Sequence, residues 1–240
     1  MPLPKISTPT YELEIPSTKK KIKYRPFLVK EEKILLMALE SEDMKQITNA
    51  VVDILNNCII TRGVKVSELA TFDIEYLFLN IRSKSIGEKI EVNVTCPDDN
   101  ETKVKLEIDI DSIKVQKDKN HSDTIKLDNA LSLKFKYPAL DQFVENNFEY
   151  AEDDANVDKS LDMIVSCIEM IYSEEESWMA SDSTTKELKE FIEQMNTKQF
   201  KDIETFFSTM PKLSHTVKVK NPKTEVTSDI TLEGLASFFS

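Results

Sequence analysis

The chain offers few residue combinations that could carry out chemistry. It has two histidines, and neither has a cysteine or aspartate partner at a spacing that would assemble a nucleophilic triad. His121 falls in a polar stretch and His215 opens a predicted strand, so both are interpreted as isolated surface residues. No catalytic residue is therefore predicted, and the chain is predicted not to be an enzyme.

The cysteines favour buried apolar positions over a metal site or a disulfide framework. Cys58 and Cys167 lie in apolar helical patterns, and the third cysteine brings the total to an odd number. Cys96, which is followed by proline, could be half of a zinc knuckle, but the second cysteine that this site needs is replaced by an acidic turn, Asp98-Asp99-Asn100. No metal ligand is predicted, and the usage is typical of a reducing compartment.

Cofactor loops are also missing from the sequence. The run 174–176 of three glutamates, with Asp182 after it, lacks the alternating oxygen ligands and central glycine of a calcium loop. Phosphate-binding loops and nucleophile elbows need closely spaced glycines, whereas Gly63, Gly87 and Gly234 are far apart. No cofactor is predicted. Counting carboxylates alone does not exclude an acid–base pair, so an enzyme of unrecognised type is kept as a further hypothesis.

The charge of the chain argues against nucleic acid and membranes as partners. The formal net charge is −12, with 43 acidic and 31 basic residues, so phosphate backbones and anionic lipids repel it. No apolar run approaches the roughly 20 residues of a membrane span, and residues 1–5 lack the apolar core of a signal peptide. Residues 19–25 are basic and residues 145–182 acidic, which predicts two opposite protein-docking faces or, alternatively, two ordinary solvated faces.

Hydrophobic periodicity predicts the elements of the first half of the chain. An extended arm, residues 1–10, precedes a hairpin, three amphipathic helices and a second hairpin. These elements are predicted over residues 11–24, 30–41, 43–60, 72–84 and 90–110.

The second half is predicted to repeat this order. Hairpins are predicted at 124–136 and 216–232, and between them helices at 139–148, 157–172, 184–195 and 198–209. The fold class is therefore α+β, with two similar lobes that each consist of a β-hairpin, amphipathic helices and a β-hairpin. The order indicates an internal duplication, although amphipathic patterning alone could give it. The predicted domains are 1–111 and 123–240, joined by a polar, structureless linker at 112–122.

Two apolar segments lie where no core is predicted. Trp178 and Met179 fall in an acidic, irregular stretch, and Phe238 and Phe239 lie at the carboxyl end. The two phenylalanines either pack back onto the second lobe or insert into a groove of a partner. Trp178, Phe238 and Phe239 are therefore candidate partner-binding residues.

Several longer blocks of sequence resemble a known family. The blocks are residues 8–13 (TPTYEL), 15–18 (IPST), 22–33 (IKYRPFLVKEEK), 35–41 (LLMALES) and 76–88 (YLFLNIRSKSIGE). They resemble the signatures of the baseplate hub family of T-even-type phages with contractile tails. Beyond about residue 95 the resemblance is limited to the layout and to the closing pattern of residues 232–235 and 238–239.

The resemblance implies a non-enzymatic structural protein of the tail baseplate. Two roles occur in that family, a hub subunit and a hub assembly factor, and both act by binding other baseplate hub proteins. The alternative is a soluble tail assembly chaperone or adaptor that is absent from the finished virion. The expected location is the host cytoplasm during assembly and then the virion, with no nucleic acid, membrane or small-molecule substrate as partner.

The resemblance also gives weight to two short segments, 24–28 and 82–85. Within them, Tyr24, Arg25, Phe27, Arg82 and Lys84 are the remaining candidate partner-binding residues. Each segment also has a purely structural interpretation, as an alternative to partner binding. Segment 24–28 can be a strand-to-helix corner in which proline sets the turn, and the cations of 82–85 can offset a helix dipole.

Overall fold

Short antiparallel sheets and amphipathic helices alternate along the chain, as a computed structural model shows. It describes residues 6–41, 43–128, 130–139 and 157–238. The helices are α1 (Val29–Glu40), α2 (Met44–Cys58), α3 (Thr71–Ile86), α4 (Val157–Cys167), α5 (Thr185–Glu193) and α6 (Thr197–Thr209). The strands are β1 (Tyr11–Glu14), β2 (Lys21–Tyr24), β3 (Lys89–Thr95), β4 (Lys103–Asp109), β5 (Lys114–Gln116), β6 (Thr124–Lys126), β7 (Ser132–Phe135), β8 (Ile168–Tyr172), β9 (Ser177–Met179), β10 (Lys212–Lys220) and β11 (Thr227–Glu233). The predicted α+β fold class is confirmed.

Helix ends coincide with residues that satisfy free backbone groups. Asp43 accepts the N–H of Lys45 at 2.9 Å where α2 begins, and Thr184 forms a capping box with Glu187 at the start of α5. At the end of α3, Gly87 has φ 139°, a value that side-chain-bearing residues rarely adopt. These local signals explain why the predicted helix limits are close to the observed ones.

The first compact unit consists of Met1–Gln116 and Lys212–Ser240. It holds the β1–β2 hairpin, α1 to α3, the β3–β4 hairpin and a three-stranded sheet in the order β11–β10–β5. In β3 the apolar residues alternate with exposed polar ones, so one face of the hairpin is buried. One core cluster contains Leu79, Ile90, Val92, Val94, Cys96, Ile108, Ile110, Ile113, Leu213, Val219, Leu232 and Phe238.

The last hairpin lies in the first unit because β10 pairs with β5. Lys212 lies opposite Gln116 and Ser214 opposite Lys114 in this antiparallel pair. The contacts thus group residues 212–240 with the N-terminal half, whereas the sequence analysis placed them in a second lobe, and they put a strand inside the predicted linker 112–122. The proposed domain limits and the internal duplication stay predictions.

The second compact unit is Lys117–Pro211. Its sheet has the order β6–β7–β8–β9, and α4 to α6 supply the helices. The core contains Ile125, Leu133, Phe135, Ile164, Val165, Cys167, Ile168, Ile171, Leu188, Ile192, Ile203 and Phe206. Phe135 and Phe206 stack with their ring centroids 4.9 Å apart, so aromatic packing joins the sheet to α6.

Two predictions in this unit are wrong. The helix predicted over 157–172 ends at Cys167, and Ile168–Tyr172 is strand β8 between β7 and β9. The irregular stretch around Trp178 contains strand β9. The run after Cys167 is apolar enough for either structure, and pairing on both sides decides in favour of the strand.

His121 is also not an isolated surface residue. Its ring nitrogens lie 3.0 Å from the hydroxyl groups of Thr209 and Tyr137, and its ring stacks on Tyr137. Burial lowers the pKa of the imidazole. His121 therefore joins the start of this unit to the end of α6.

The predicted helix at 139–148 lies outside the described residues except for Ala139, which is not helical. Within the described ranges, no helix combines the length and apolar character that crossing a membrane requires.

Candidate protein-docking surfaces

The segment 24–28 forms a buried corner between β2 and α1. Tyr24 is buried and bridges to Ile59, and the guanidinium of Arg25 forms two hydrogen bonds with the carboxylate of Glu31, at 2.9 and 3.3 Å. The backbone N–H of Leu28 also donates to this carboxylate, at 2.9 Å, and the ammonium group of Lys30 lies 3.3 Å from it. Glu31 is fully buried, so an ion pair and a backbone donor compensate its charge.

The electrostatics of the corner keep Glu31 ionised. Burial alone would raise the pKa of its carboxyl group, but hydrogen bonds from Arg25, Leu28 and Lys30 outweigh burial and leave the pKa below its usual value. The nearby Cys58 thiol has a pKa of about 11 because it is buried. At neutral pH this thiol is protonated, which makes it a poor nucleophile and a poor metal ligand.

Phe27 ties the corner to the end of α3. Its ring lies 5.4 Å from that of Phe78, and its backbone N–H donates to Oγ of Ser85 at 2.6 Å. Two separate blocks of the family-like sequence, 22–33 and 76–88, therefore meet here. The sequence alone gave no sign of this contact.

The two cations near the end of α3 differ in their surroundings. Burial lowers the pKa of Arg82, and the charge of Glu32 opposes that effect. The ammonium group of Lys84 lies 2.6 Å from the carboxylate of Glu88, and its side chain is only 28 % exposed. The position of Lys84 in the last turn agrees with the dipole interpretation. A partner-binding role for both residues stays a prediction.

The acidic turn after Cys96 connects two hairpins. The side-chain amide of Asn221 donates to both carboxylate oxygens of Asp98, at 3.0 and 3.1 Å, and the hydroxyl of Thr224 also donates to Asp98. Asn221 is fully buried. Sequence reasoning missed Asn221 because its partner is 123 residues away. Over the described ranges, no three acidic, histidine or cysteine side chains are grouped in a way that could hold a metal ion.

Phe238 packs inside the first unit. Its ring is 1 % exposed, and it follows a tight turn at Gly234, where φ is +72°. The N–H of Leu235 donates to the carboxyl group of Glu75 at 3.0 Å. Burial raises the pKa of Glu75 to about 7, and this hydrogen bond opposes the shift. Phe239 lies outside the described residues, and a partner-binding role for either phenylalanine stays a prediction.

Trp178 occupies the exposed end of an apolar row. It lies opposite Ile171 in the β8–β9 pair, Ile171 lies opposite Leu133, and Leu133 lies opposite Ile125. The three inner residues are buried, whereas Trp178 is 45 % exposed. Among the strands that the structure describes, β9 is the outermost of its sheet, so the apolar row ends there at an edge with no described strand beside it.

A second exposed apolar surface lies on α1. Val29, Leu36 and Met37 are exposed, on the side opposite buried Leu35 and Ala38. The helical spacing of Val29 and Leu36 is the signal that could have identified this surface from the sequence.

Residues 8–240 match a family model described as T4 bacteriophage base plate protein. The chain belongs to this family. Membership assigns a structural role in the phage tail to this base plate protein, and a base plate protein binds other phage proteins. A search of curated proteins and a search of solved structures each returned no match.

Proposed function

We propose that the chain is a non-enzymatic component of the baseplate hub, either a hub subunit or a hub assembly factor, and that it works by binding other hub proteins. The observation that carries the proposal is the family match over residues 8–240. The contact of Phe27 with Phe78 and Ser85 supports it, because the two blocks that resemble the hub family form one packed corner.

The polar groups of the candidate surfaces support a binding role. Glu31 and Asp98 are occupied by hydrogen bonds within the chain, and the Cys58 thiol is protonated at neutral pH. These are arrangements that stabilise a fold. The proposal thus includes no catalytic residue and no cofactor, and its partners are proteins, with no nucleic acid, membrane or small-molecule substrate.

Within this proposal the eight candidate partner-binding residues differ in access. Trp178 is half-exposed and Lys84 is partly exposed, so both can contact a partner directly. The other described candidates would act by holding the shape of the surface around them. They are Tyr24, Arg25, Phe27, Arg82 and Phe238.

Co-expression with each hub protein, followed by co-purification, tests the proposal. We expect a stable complex with at least one of them and recovery of the chain in purified phage particles if it is a hub subunit. A complex without recovery in particles indicates an assembly factor, or the chaperone alternative, that leaves before the tail is finished. Absence of any complex and absence from particles would contradict the proposed function.

The basic segment offers a second test within the same system. Lys20, Lys21 and Lys23 lie on the β1–β2 hairpin, and reversing all three to Glu should abolish one of the complexes without unfolding the chain. If every complex survives the triple reversal, the basic segment is not a docking face.

A further inference from the structure

We propose that the outer edge of β9 is the docking site for an extended, basic segment of another base plate protein, which would add to the sheet as a fifth strand. The inference rests on the proposed function and adds to it a surface and a class of partner. Strand addition to an open sheet edge is a common way for proteins to bind extended segments.

The hydrogen-bond pattern of the β8–β9 pair leaves the backbone N–H of Ser177 in β9 directed away from β8. The N–H of Ser173 donates to the carbonyl of Glu176 at 2.8 Å, so this pair is hydrogen-bonded. In an antiparallel ladder the bonded pairs alternate, which makes Ile171 and Trp178 the next bonded pair. The N–H of Ser177 therefore points away from the sheet, and within the part of the chain that the structure describes it has no acceptor.

The opposite edge of the same sheet is blocked at one of its outward positions by its own chain. In β6 the backbone N–H and carbonyl of Thr124 face away from β7. The reason is that the adjacent pair, Asp123 and Phe135, is hydrogen-bonded, and bonded pairs alternate along an antiparallel ladder. The hydroxyl of Ser122 accepts the N–H of Thr124 at 3.2 Å and donates to its carbonyl at 2.9 Å. Blocking edges in this way is a common protection against unwanted pairing. The outward N–H and carbonyl of Thr124 on the β6 edge are thus bonded within the chain, whereas the outward N–H of Ser177 on the β9 edge has no acceptor among the described residues.

Side chains at the β9 edge suit an apolar contact. Trp178 continues the row of Leu133 and Ile171, and almost half of its surface is left in solvent. A strand placed beside β9 would put its own side chain next to Trp178 and extend the row by one position. Tryptophan is also among the residues that contribute most to protein interfaces when a partner covers them.

The charges around the edge select the partner. Glu174, Glu175 and Glu176 form the turn before β9, Asp182 follows it, and all four carboxylates are exposed. No lysine or arginine occurs between residues 173 and 182. A partner strand that alternates apolar residues with lysine or arginine matches both the exposed indole and the surplus of negative charge.

A peptide titration tests the inference, and Trp178 is the only tryptophan of the chain and so serves as the reporter. The probe is a nine-residue peptide of alternating lysine and valine, and the control peptide has glutamate in place of lysine. We expect a saturable blue shift of the tryptophan emission with the lysine peptide alone, and weaker binding as salt is raised. No saturable shift, or equal binding of both peptides, would overturn the inference.

Two variants separate strand addition from simple charge attraction. Ser177→Pro removes the outward N–H and leaves the bonds between Trp178 and Ile171 in place, so binding should weaken at least tenfold. Lys126→Pro is the matched control, because the backbone N–H of Lys126 also faces outward but on the opposite, β6 edge, and it should bind like the unmodified chain. If Ser177→Pro also binds normally, the backbone edge is not the site.

Replacing the three exposed glutamates at 174–176 by Gln tests the charge contribution, and this change should weaken peptide binding several-fold while leaving the fold intact.

Recovery in phage particles distinguishes failure of this inference from failure of the proposed function. Equal recovery of the unmodified chain and of Ser177→Pro, in particles or, for an assembly factor, in the co-purified complex, would reject the β9 edge and leave the base plate role standing. Reduced recovery of Ser177→Pro, with Lys126→Pro unaffected, would support both. Absence of the unmodified chain from every complex and every particle would reject the proposed function.

Discussion

The corner at 24–28 and the edge at β9 carry similar residue types and use them in opposite ways. At the corner, the rings of Tyr24 and Phe27 are buried, and the charge of Arg25 is compensated by Glu31. At the edge, Trp178 is half-exposed, and the backbone of Ser177 faces outward. The comparison shows that the aromatic residues of the family-like block 22–33 lie at positions on which the fold depends, whereas the aromatic residue of this edge strand lies at a surface.

The largest expected effect is at the corner. Phe27→Ala should lower the free energy of unfolding by roughly 3–5 kcal/mol, because a buried phenylalanine in contact with Phe78 is replaced by a cavity. Urea denaturation followed by far-UV circular dichroism measures it. Leu36→Ala, on the exposed side of α1, is the control and should change stability little. Equal effects of the two changes would remove the distinction between corner and surface.

The next effect tests the ion pair of the corner. Glu31→Gln should cost about 2 kcal/mol at pH 7, because Arg25 loses a charged partner while the backbone N–H of Leu28 keeps an acceptor. The pKa of Glu31 is lower in the folded than in the unfolded chain, so its contribution is present above its unfolded pKa and is lost as pH falls through its folded pKa. The stability of Glu31→Gln should therefore fall less on acidification than that of the unmodified chain.

Thermal unfolding between pH 3 and pH 7 checks this expectation. Glu40→Gln, an exposed change in the last turn of the same helix, should leave the whole curve unchanged. If Glu31→Gln and the unmodified chain lose stability in parallel on acidification, the carboxylate of Glu31 is not stabilised in the way described.

Glu75 contrasts with Glu31 in the first unit, because at Glu75 the effect of burial on the pKa is larger than that of hydrogen bonding. A folded pKa of about 7 lies above the unfolded value, so stability falls as pH rises from the unfolded pKa through about 7. Glu75→Gln should therefore stabilise the chain by ~1–2 kcal/mol at pH 8 and have little effect at pH 5. Thermal unfolding at both pH values measures this. Glu204→Gln, exposed on α6, is the control, and a pH-independent effect of the Glu75 change would contradict the account.

The smallest expected effect is at the β9 edge. Trp178→Ala should lower the free energy of unfolding by only ~1 kcal/mol, since the indole is already half in solvent. Phe206→Ala in the same unit removes a buried, stacked ring and should cost several times more. Chemical denaturation followed by circular dichroism compares the two. A similar loss for both variants would show that Trp178 belongs to the core and not to a docking surface.

Local sequence signals predicted the elements whose stability depends on neighbours in the chain. The alternation in β3 follows from burial on one face, and Asp43 and Thr184 provide helix starts that can be recognised without a structure. The failures share a different cause. β5 contains one apolar residue and exists because β10 pairs with it, almost a hundred residues later, and β8 is an apolar run that pairing alone distinguishes from a helix.

The candidate surfaces follow the same division. Residue type was enough to select Trp178, because an indole in an acidic stretch is unusual for a solvated loop. Exposure was not predictable at the corner, since resemblance to a family identifies Tyr24 and Phe27 as important without showing whether their rings are buried. The link between Asp98 and Asn221 depends on contact between distant residues, and the outward backbone of Ser177 depends on the register of the β8–β9 pair, which residue types alone do not define.

The pairing of β5 with β10 has a consequence for biosynthesis. A ribosome completes Lys117–Pro211 before the first unit has all of its parts, because that unit also needs Lys212–Ser240. Until the last hairpin emerges, apolar residues such as Ile90 and Val92 lack the Leu213, Val219 and Phe238 that complete their cluster. The part translated first is thus the part that finishes folding last, and the nascent chain carries an uncovered apolar face throughout that interval.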